Sequence, residues 1–450
     1  MTSHVLEQRP KNSRIWRRLL AVALAAGLGA CSGGSPGGPD TGTGGKLGSG
    51  GSGITSGSAG HGTTGGSIGS GGTSTTGGQS GANTAGGTIG AGGTIVGAGA
   101  LGATGGAGGA AGVGGNAAGA AGAGGGGPNE TLHFSGRWNV QSGPRATTVN
   151  SGSYLTAQFT GTGITGKFDT AVNDSSDLPT VAWSVDGATT WSVAEVKATL
   201  SMGSNLSSGT HTITLIARGL DENKNRWSPP LASSITFLGF DVTGGALVEN
   251  ARPAQPKLEI LGDSITEGVI VQGSSYMGHT GQCWKNDAVY SYPTQSGRAL
   301  GADYRQVGFG YQGLLKTGDG GVPAANDSFN WFYKDVPRDS WQADMVVINQ
   351  GTNDSSQPAA TFKTAYSTFL ATIRKAYPNA KIVALRPFNG AQAAQIQAAV
   401  SAAGDSRMFY VDTTGWVGTG DFSDGLHPNV QGSSKITTQL VAAIKKIGFP

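Results

Sequence analysis

LEILGDSITEG, residues 258–268, is an apolar run that stops at Gly-Asp-Ser. Strand-forming residues give way to glycine and then to residues that open a helix, so the segment reads as a strand, a tight turn and a helix start. Gly262 permits the turn, and backbone amides at the helix start favour developing negative charge. Ser264 is therefore either an ordinary helix cap or a nucleophile at the edge of a sheet. The order Gly-Asp-Ser-Ile-Thr is not a G-x-S-x-G elbow.

The surroundings favour a sheet. After Pro253 and Pro256, apolar strands are expected at residues 257–261, 304–307, 345–349, 381–385 and 408–411. Helical stretches follow several of them, at residues 359–376, 392–403 and 430–447. This alternation implies an α/β domain over residues 253–450, with a parallel sheet covered by helices on both faces. Sites in such sheets form beyond the carboxyl ends of the strands.

Residues 129–252 differ in pattern. Short alternating runs such as SYLTAQFTG, GITGKFD, TVAWSVDG, HTITLIARG and SITFLGFDV are separated by Gly, Asn, Asp and Ser clusters, with no helical period. They predict an antiparallel β-sandwich of the jelly-roll kind. Trp183 to Gly187 reads as a strand entering an Asp-Gly turn.

The 80 glycines of this 450-residue chain concentrate in residues 32–128, which are almost wholly Gly, Ser, Thr and Ala without a Gly-X-Y period. Such a segment buries too little apolar surface to offset its ordering entropy and is expected to be a disordered tether with a reach of about 50–60 Å. Before it, Arg14, Arg17 and Arg18 precede the apolar run LLAVALAAGLGA, a secretory layout too short to span a bilayer. Leu28-Gly29-Ala30-Cys31 resembles a bacterial lipobox, which makes residues 1–31 a lipoprotein signal and Cys31 a lipidation site; plain secretory cleavage is the alternative. The expected location is a membrane or cell surface. Ser32 after the cysteine hints at an outer membrane. The other cysteine, Cys283, then has no intrachain partner. A net charge of +3 implies no nucleic-acid partner. Scattered histidines without H-E-x-x-H, and a glycine tract without a P-loop ending, call for no metal and no cofactor.

Two further stretches bear on Ser264. In SDGLHPNVQG, residues 423–432, Asp424 and His427 are spaced so that a carboxylate reaches one imidazole nitrogen while the other faces outward. A serine hydroxyl needs such a base; the plain alternative is a capped surface turn. Pro428 suits the first position of the last helix. In VVINQGTNDSS, residues 346–356, Asn353 ends a buried strand and is either an oxyanion donor or an Asx turn.

GDSIT at 262–266, the glycine turn VGFGYQG at 307–313, GTND at 351–354 and DGLHP at 424–428 together resemble, in order, the four blocks of the SGNH (GDSL-type) hydrolase superfamily. The resemblance covers about Leu258 to the C-terminus and implies Ser264 as nucleophile, His427 as base and Asp424 as its orienting partner. It implies an oxyanion held by the Ser264 amide, a glycine amide of the second block and the Asn353 side chain. That glycine is Gly308 or Gly310, since Gln306 and Val307 stand where the family carries Asn upstream. Asp263 and Asp354 are expected to be structural.

A sandwich before such a domain is similar to the family two carbohydrate esterases. The implied activity is serine-dependent removal of acetyl groups from polysaccharide by a monomeric enzyme. Trp284, Tyr311 and Trp331 are candidate sugar-stacking residues, with core packing as the alternative for each. A lipase of the same superfamily and a non-catalytic glycan-binding protein are the rival readings. Deleting residues 32–128 is expected to leave melting temperature and activity nearly unchanged, because that segment adds no core; calorimetry and an esterase assay check this.

Overall fold

The computed structural model describes residues 131–273, 279 and 281–450. The signal-like segment with Cys31 and the glycine-rich stretch lie outside the described residues.

The first domain is built from β1 (Leu132–Ser135), β2 (Asn139–Val140), β3 (Ala146–Thr148), β4 (Tyr154–Thr160), β5 (Gly163–Asp169) and β6 (Thr180–Val185). It continues with β7 (Ser192–Glu195), β8 (Thr199–Gly203), β9 (Thr210–Gly219), β10 (Ile235–Thr243) and β11 (Ala246–Val248). They form two antiparallel sheets, ordered β1-β4-β9-β6-β7 with β11 beside β4, and β2-β3-β10-β5-β8. Side chains of a strand alternate between faces. Leu155, Ala157 and Phe159 of β4 therefore join Ile213, Leu215 and Ala217 of β9 against Ile164, Phe168 and Phe237 of the other sheet. This is an all-β sandwich of the jelly-roll kind.

The second domain runs through β12 (Lys257–Asp263), α1 (Ser264–Glu267), α2 (Gln282–Lys285), α3 (Tyr292–Ala299) and β13 (Asp303–Phe309). Next come α4 (Ala325–Ser328), the small hairpin β14 (Trp331–Tyr333) and β15 (Val336–Pro337), and then β16 (Met345–Asn349). The chain ends with α5 (Ala359–Ala376), β17 (Lys381–Leu385), α6 (Ala393–Ala402), β18 (Met408–Val411) and α7 (Val430–Ile447). Helix α6 is shorter by one residue at each end than the sequence suggests; at its start, Gln392 takes a left-handed φ of 55° and cannot belong to the helix.

The five long strands pair in parallel in the order β13-β12-β16-β17-β18. Alternate residues face opposite helix layers. Val346, Ile348, Ile382 and Ala384 pack with Phe362, Phe369 and Ile396 of α5 and α6. Met345, Val347, Val383 and Leu385 pack with Tyr292 of α3 and Ile436, Leu440 and Ile444 of α7. Burying each such side chain contributes roughly 1.5–3 kcal/mol, so the sandwich of helix, sheet and helix is held chiefly by these two layers. The first strand of the sheet, β12, lies between the second, β13, and the third, β16, so strand order reverses there. Crevices beyond the carboxyl ends of strands at such a reversal are where open sheets bind ligands.

The two domains share their cores. Tyr154, Ala182 and Ile216, on the outer face of one sandwich sheet, pack into the layer of α3 and α7, and Tyr154 stacks on Tyr304 at 4.6 Å. Trp227 and Leu231 join the layer of α5 and α6. Three buried arginines of the sandwich also pair with buried acids of the α/β domain. Arg137 meets Glu259 at 3.2 Å, Arg218 meets Asp287 at 2.9 Å, and Arg226 meets Glu267. Removing one partner of such a pair leaves an uncompensated charge in a dry interior, at a cost of about 3–5 kcal/mol. The full chain is therefore expected to unfold in a single calorimetric transition, and Arg218→Met should lower its stability in urea by about that amount.

Candidate active site

Backbone geometry at the end of β12 decides what Ser264 does. Asp263, not Ser264, caps α1: its Oδ1 accepts the Ile265 N–H at 3.0 Å. The Ser264 hydroxyl is thereby left for another partner, and that partner is His427 Nε2 at 2.9 Å. His427 Nδ1 in turn lies 2.8 Å from Asp424 Oδ2. The other oxygen of Asp424 accepts the N–H groups of His427 at 2.8 Å and Leu426 at 2.9 Å. Burial pushes the Asp424 carboxyl up, but the bonds from His427 and Leu426 outweigh it and hold the group below the usual carboxylate range. An ionised carboxylate only accepts, so Asp424 orients the ring through Nδ1 and turns Nε2 toward the Ser264 hydroxyl.

The loop bearing Asp424 and His427 is pinned at both sides. The Ser423 hydroxyl donates to the Ile270 carbonyl at 2.7 Å, its N–H donates to the His427 carbonyl at 2.8 Å, and Phe422 bridges Pro428. Pro428 does not open the last helix as expected from sequence. The N-cap of α7 is Asn429, whose side chain accepts the Gly432 N–H at 2.9 Å, so the proline stands one residue outside.

Register puts the remaining blocks at the same rim. Gly262 pairs with Gly308 on one side and with Asn349 on the other, so the turns after β12, β13 and β16 leave the sheet side by side. Asn353 sits in a short 3₁₀ turn after β16, half-buried, and one of its amide hydrogens goes to the Gln312 carbonyl at 3.0 Å. An amide nitrogen carries two hydrogens, so one is left for a ligand. Asp354 holds the neighbouring loop by accepting the Leu314 and Leu315 N–H groups at 2.7 and 3.2 Å. Gly308 lies where a Cβ would meet the Glu267 backbone nitrogen at 2.5 Å, so only glycine lets β13 approach α1. Gly310 donates its N–H to Glu267 Oε2 at 2.8 Å and is not available to an oxyanion in this geometry.

The aromatic candidates separate. Trp284 is buried, with its Nε1 donating to Glu195 at 2.9 Å and its ring stacked on His279, so it offers no open face to a sugar. Tyr311 is 52 % exposed in the turn after β13, although Lys316 lies over its ring. Trp331 is 37 % exposed on the hairpin β14–β15. Cys283 is buried, and burial raises its thiol well above the usual value, which makes it a poor nucleophile.

No motif marks Glu267 or the arginine that reaches it, Arg226. Gln306 donates to the Glu267 carbonyl at 3.0 Å and accepts the Ser291 and Thr294 hydroxyls at 3.0 and 2.9 Å, tying α1 to α3. The available signal was charge inside apolar runs, as Glu259 in LEILG and Arg218 in HTITLIARG, which demands a buried partner.

Residues 260–435 match the GDSL-like Lipase/Acylhydrolase family, and residues 134–250 match the Carbohydrate esterase 2 N-terminal family. The chain joins a GDSL-type hydrolase domain to a family two carbohydrate esterase N-terminal domain. Its two-domain layout is that of solved family two esterases. A family two carbohydrate esterase from Clostridium thermocellum, in complex with cellohexaose, is 26% identical with a TM-score of 0.60, covering 71% of this chain and 100% of that one. A family two carbohydrate esterase from Cellvibrio japonicus shares the fold at 20% identity and a TM-score of 0.60, covering 70% of this chain and 95% of that one. The cellulase/esterase CelE of Acetivibrio thermocellus is 26% identical over 357 residues, 71% of this chain. The match spans only 40% of that relative's length.

Asp263 supplies a pH signature of the site. Burial, opposed by the bond from the Ile265 N–H, pushes its carboxyl up to about 7. A raised carboxyl means that the folded state holds a proton the unfolded state releases, so this group's stabilisation is complete below about pH 4 and is lost as pH rises to about 7. Asp263→Asn keeps the capping oxygen and should remove that slope, as read by urea unfolding between these pH values.

Proposed function

We propose that this protein is a serine esterase that removes acyl groups, acetyl foremost, from carbohydrate. The chain of bonds from Asp424 through His427 to Ser264, at 2.8 and 2.9 Å, is the observation that supports it. In this reading the Ser264 oxygen attacks the ester carbonyl while His427 Nε2 takes the hydroxyl proton. The carbonyl π electrons move to oxygen, and that oxyanion is met by the Ser264 N–H, the free amide hydrogen of Asn353 and the Gly308 N–H. Each such donor is worth about 3–4 kcal/mol of barrier. Collapse expels the sugar alkoxide, which takes the proton from His427, and leaves an acyl-serine. Water, deprotonated by the same histidine, attacks the acyl carbon, and the acid leaves as Ser264 recovers its proton.

Carbohydrate is favoured over lipid because the solved relative from Clostridium thermocellum is in complex with cellohexaose, and because this chain carries both domains of that layout. The exposed Tyr311 ring beside the second block suits contact with a sugar. The lipobox-like sequence ending at Cys31 further suggests an exported protein anchored by lipid, with residues 32–128 as its tether to the surface.

Acetate release from acetylated xylo-oligosaccharides and hydrolysis of p-nitrophenyl acetate are the direct tests. Both are expected in the wild type. Ser264→Ala should lower kcat at least about 10³-fold with the circular dichroism spectrum unchanged. Preference for a long-chain ester would favour a lipase instead, and turnover of neither ester would favour a glycan-binding protein.

A further inference from the structure

Gly310 is gripped from both domains at once. Its N–H goes to Glu267 Oε2 at 2.8 Å, and Glu267 is the last residue of the helix that Ser264 begins. Both carboxylate oxygens of Glu267 are bound by the Arg226 guanidinium of the sandwich, one of them at 3.1 Å, and both side chains are fully buried. A planar guanidinium matching two carboxylate oxygens fixes orientation as well as charge. Arg226 also reaches the far end of the same loop through its backbone, donating to the Gly320 carbonyl at 2.9 Å, while the Asp319 N–H donates to the Gly310 carbonyl at 2.8 Å. The sandwich residue Glu222 completes the grip. A Cβ on Gly310 would stand 2.0 Å from Glu222 Oε2, so that carboxyl lies directly against the glycine.

We propose that Arg226 and Glu222 of the sandwich are positioning residues for ester hydrolysis: Arg226 through Glu267, and Glu222 by direct packing, clamp Gly310 and hold the loop that follows β13 in register with Ser264. The inference rests on the esterase reading above. On this view, the sandwich is part of the catalytic apparatus rather than an appended module. The loop so held carries Tyr311 and runs into Gln312, whose carbonyl orients the Asn353 amide. A shift of the Gly310 backbone therefore displaces both the second-block turn and the oxyanion amide, and misplacement on the order of 1 Å is enough to slow chemistry substantially. The Glu222 carboxyl gives the clamp a pH limit. It is pushed up to about 8 by burial and then by the Glu267 carboxylate, with Arg226 opposing and Asp319 and Asp221 adding to the rise. Below that pH a neutral carboxyl packs on Gly310, and above it a second negative charge faces Glu267 and forces the loop away.

Three full-length proteins test this: wild type, Arg226→Lys, which keeps the charge but loses the fork, and Glu222→Gln. Steady-state kinetics on p-nitrophenyl acetate are read together with hydrogen exchange by mass spectrometry over residues 308–315. For Arg226→Lys we expect kcat to fall tenfold to a hundredfold with KM within twofold, and exchange to quicken in that loop while the strands of the sheet stay protected. For the wild type we expect kcat to decline above about pH 8, and for Glu222→Gln we expect that decline to vanish. Unchanged loop exchange in Arg226→Lys overturns the clamp whether or not the wild type turns over esters. A melting-temperature loss with kcat within twofold of wild type overturns it too, as does an alkaline decline that persists in Glu222→Gln. Failure of the esterase reading looks different: the wild type would match Ser264→Ala in every ester assay while the exchange difference between wild type and Arg226→Lys remained.

Discussion

A carboxylate without water around it must have a cation, and Glu267 finds its cation in the other domain. That one pairing, Arg226 with Glu267, ties the helix that begins at Ser264 to the sandwich. The same carboxylate takes the Gly310 N–H, and the Glu267 carbonyl takes the Gln306 amide, so the turns after β12 and β13 are braced against each other and against the sandwich. Two further buried pairs, Arg137 with Glu259 and Arg218 with Asp287, repeat the device along the junction. Buried ion pairs of this kind contribute little net stability against an apolar alternative, yet breaking one is costly. Their effect is to specify how the two domains meet.

Within that frame, the division of labour between Asp263, Asp424 and Ser264 follows from burial. Asp263 is fully buried and spends one oxygen on the Ile265 N–H, which frees the Ser264 hydroxyl from capping. Asp424 is partly exposed, surrounded by N–H donors and held ionised, as a partner for an imidazolium must be. One carboxyl carries its proton to higher pH because of desolvation; the other gives it up early because hydrogen bonds prevail. The Ser264 hydroxyl is met by His427 and the helix end is held by the sandwich, so the serine and its surroundings are oriented from opposite sides.

Much of the architecture is legible from residue order. Continuous apolar runs such as MVVIN and KIVAL are buried on both faces and have no reason to alternate, whereas SYLTAQFTG alternates because only one side of its strand faces the sandwich core. The helical periods of residues 359–376 and 430–447 match α5 and α7 to the residue, since their apolar positions recur at the spacing of one helix face. The spacing of Asp424 and His427 is likewise local, and it suffices to place a carboxylate on an imidazole within one loop.

What order alone left open is everything that depends on a distant partner. Whether Ser264 caps a helix or faces a base is decided by Asp263 taking the cap and by α7 returning the His427 loop from 163 residues away. The choice between Gly308 and Gly310 turns on Glu267, whose carboxylate claims the second glycine only because the chain folds α1 against β13. Trp284 is an aromatic like Tyr311 in sequence, but one lies in the domain junction and the other on the rim. Local periodicity and turn chemistry determine which elements form, because those forces act over a few residues. The pairing of buried charges and the closing of the Ser264–His427 hydrogen bond join residues 41 to 163 positions apart, and only the packed tertiary structure decides them.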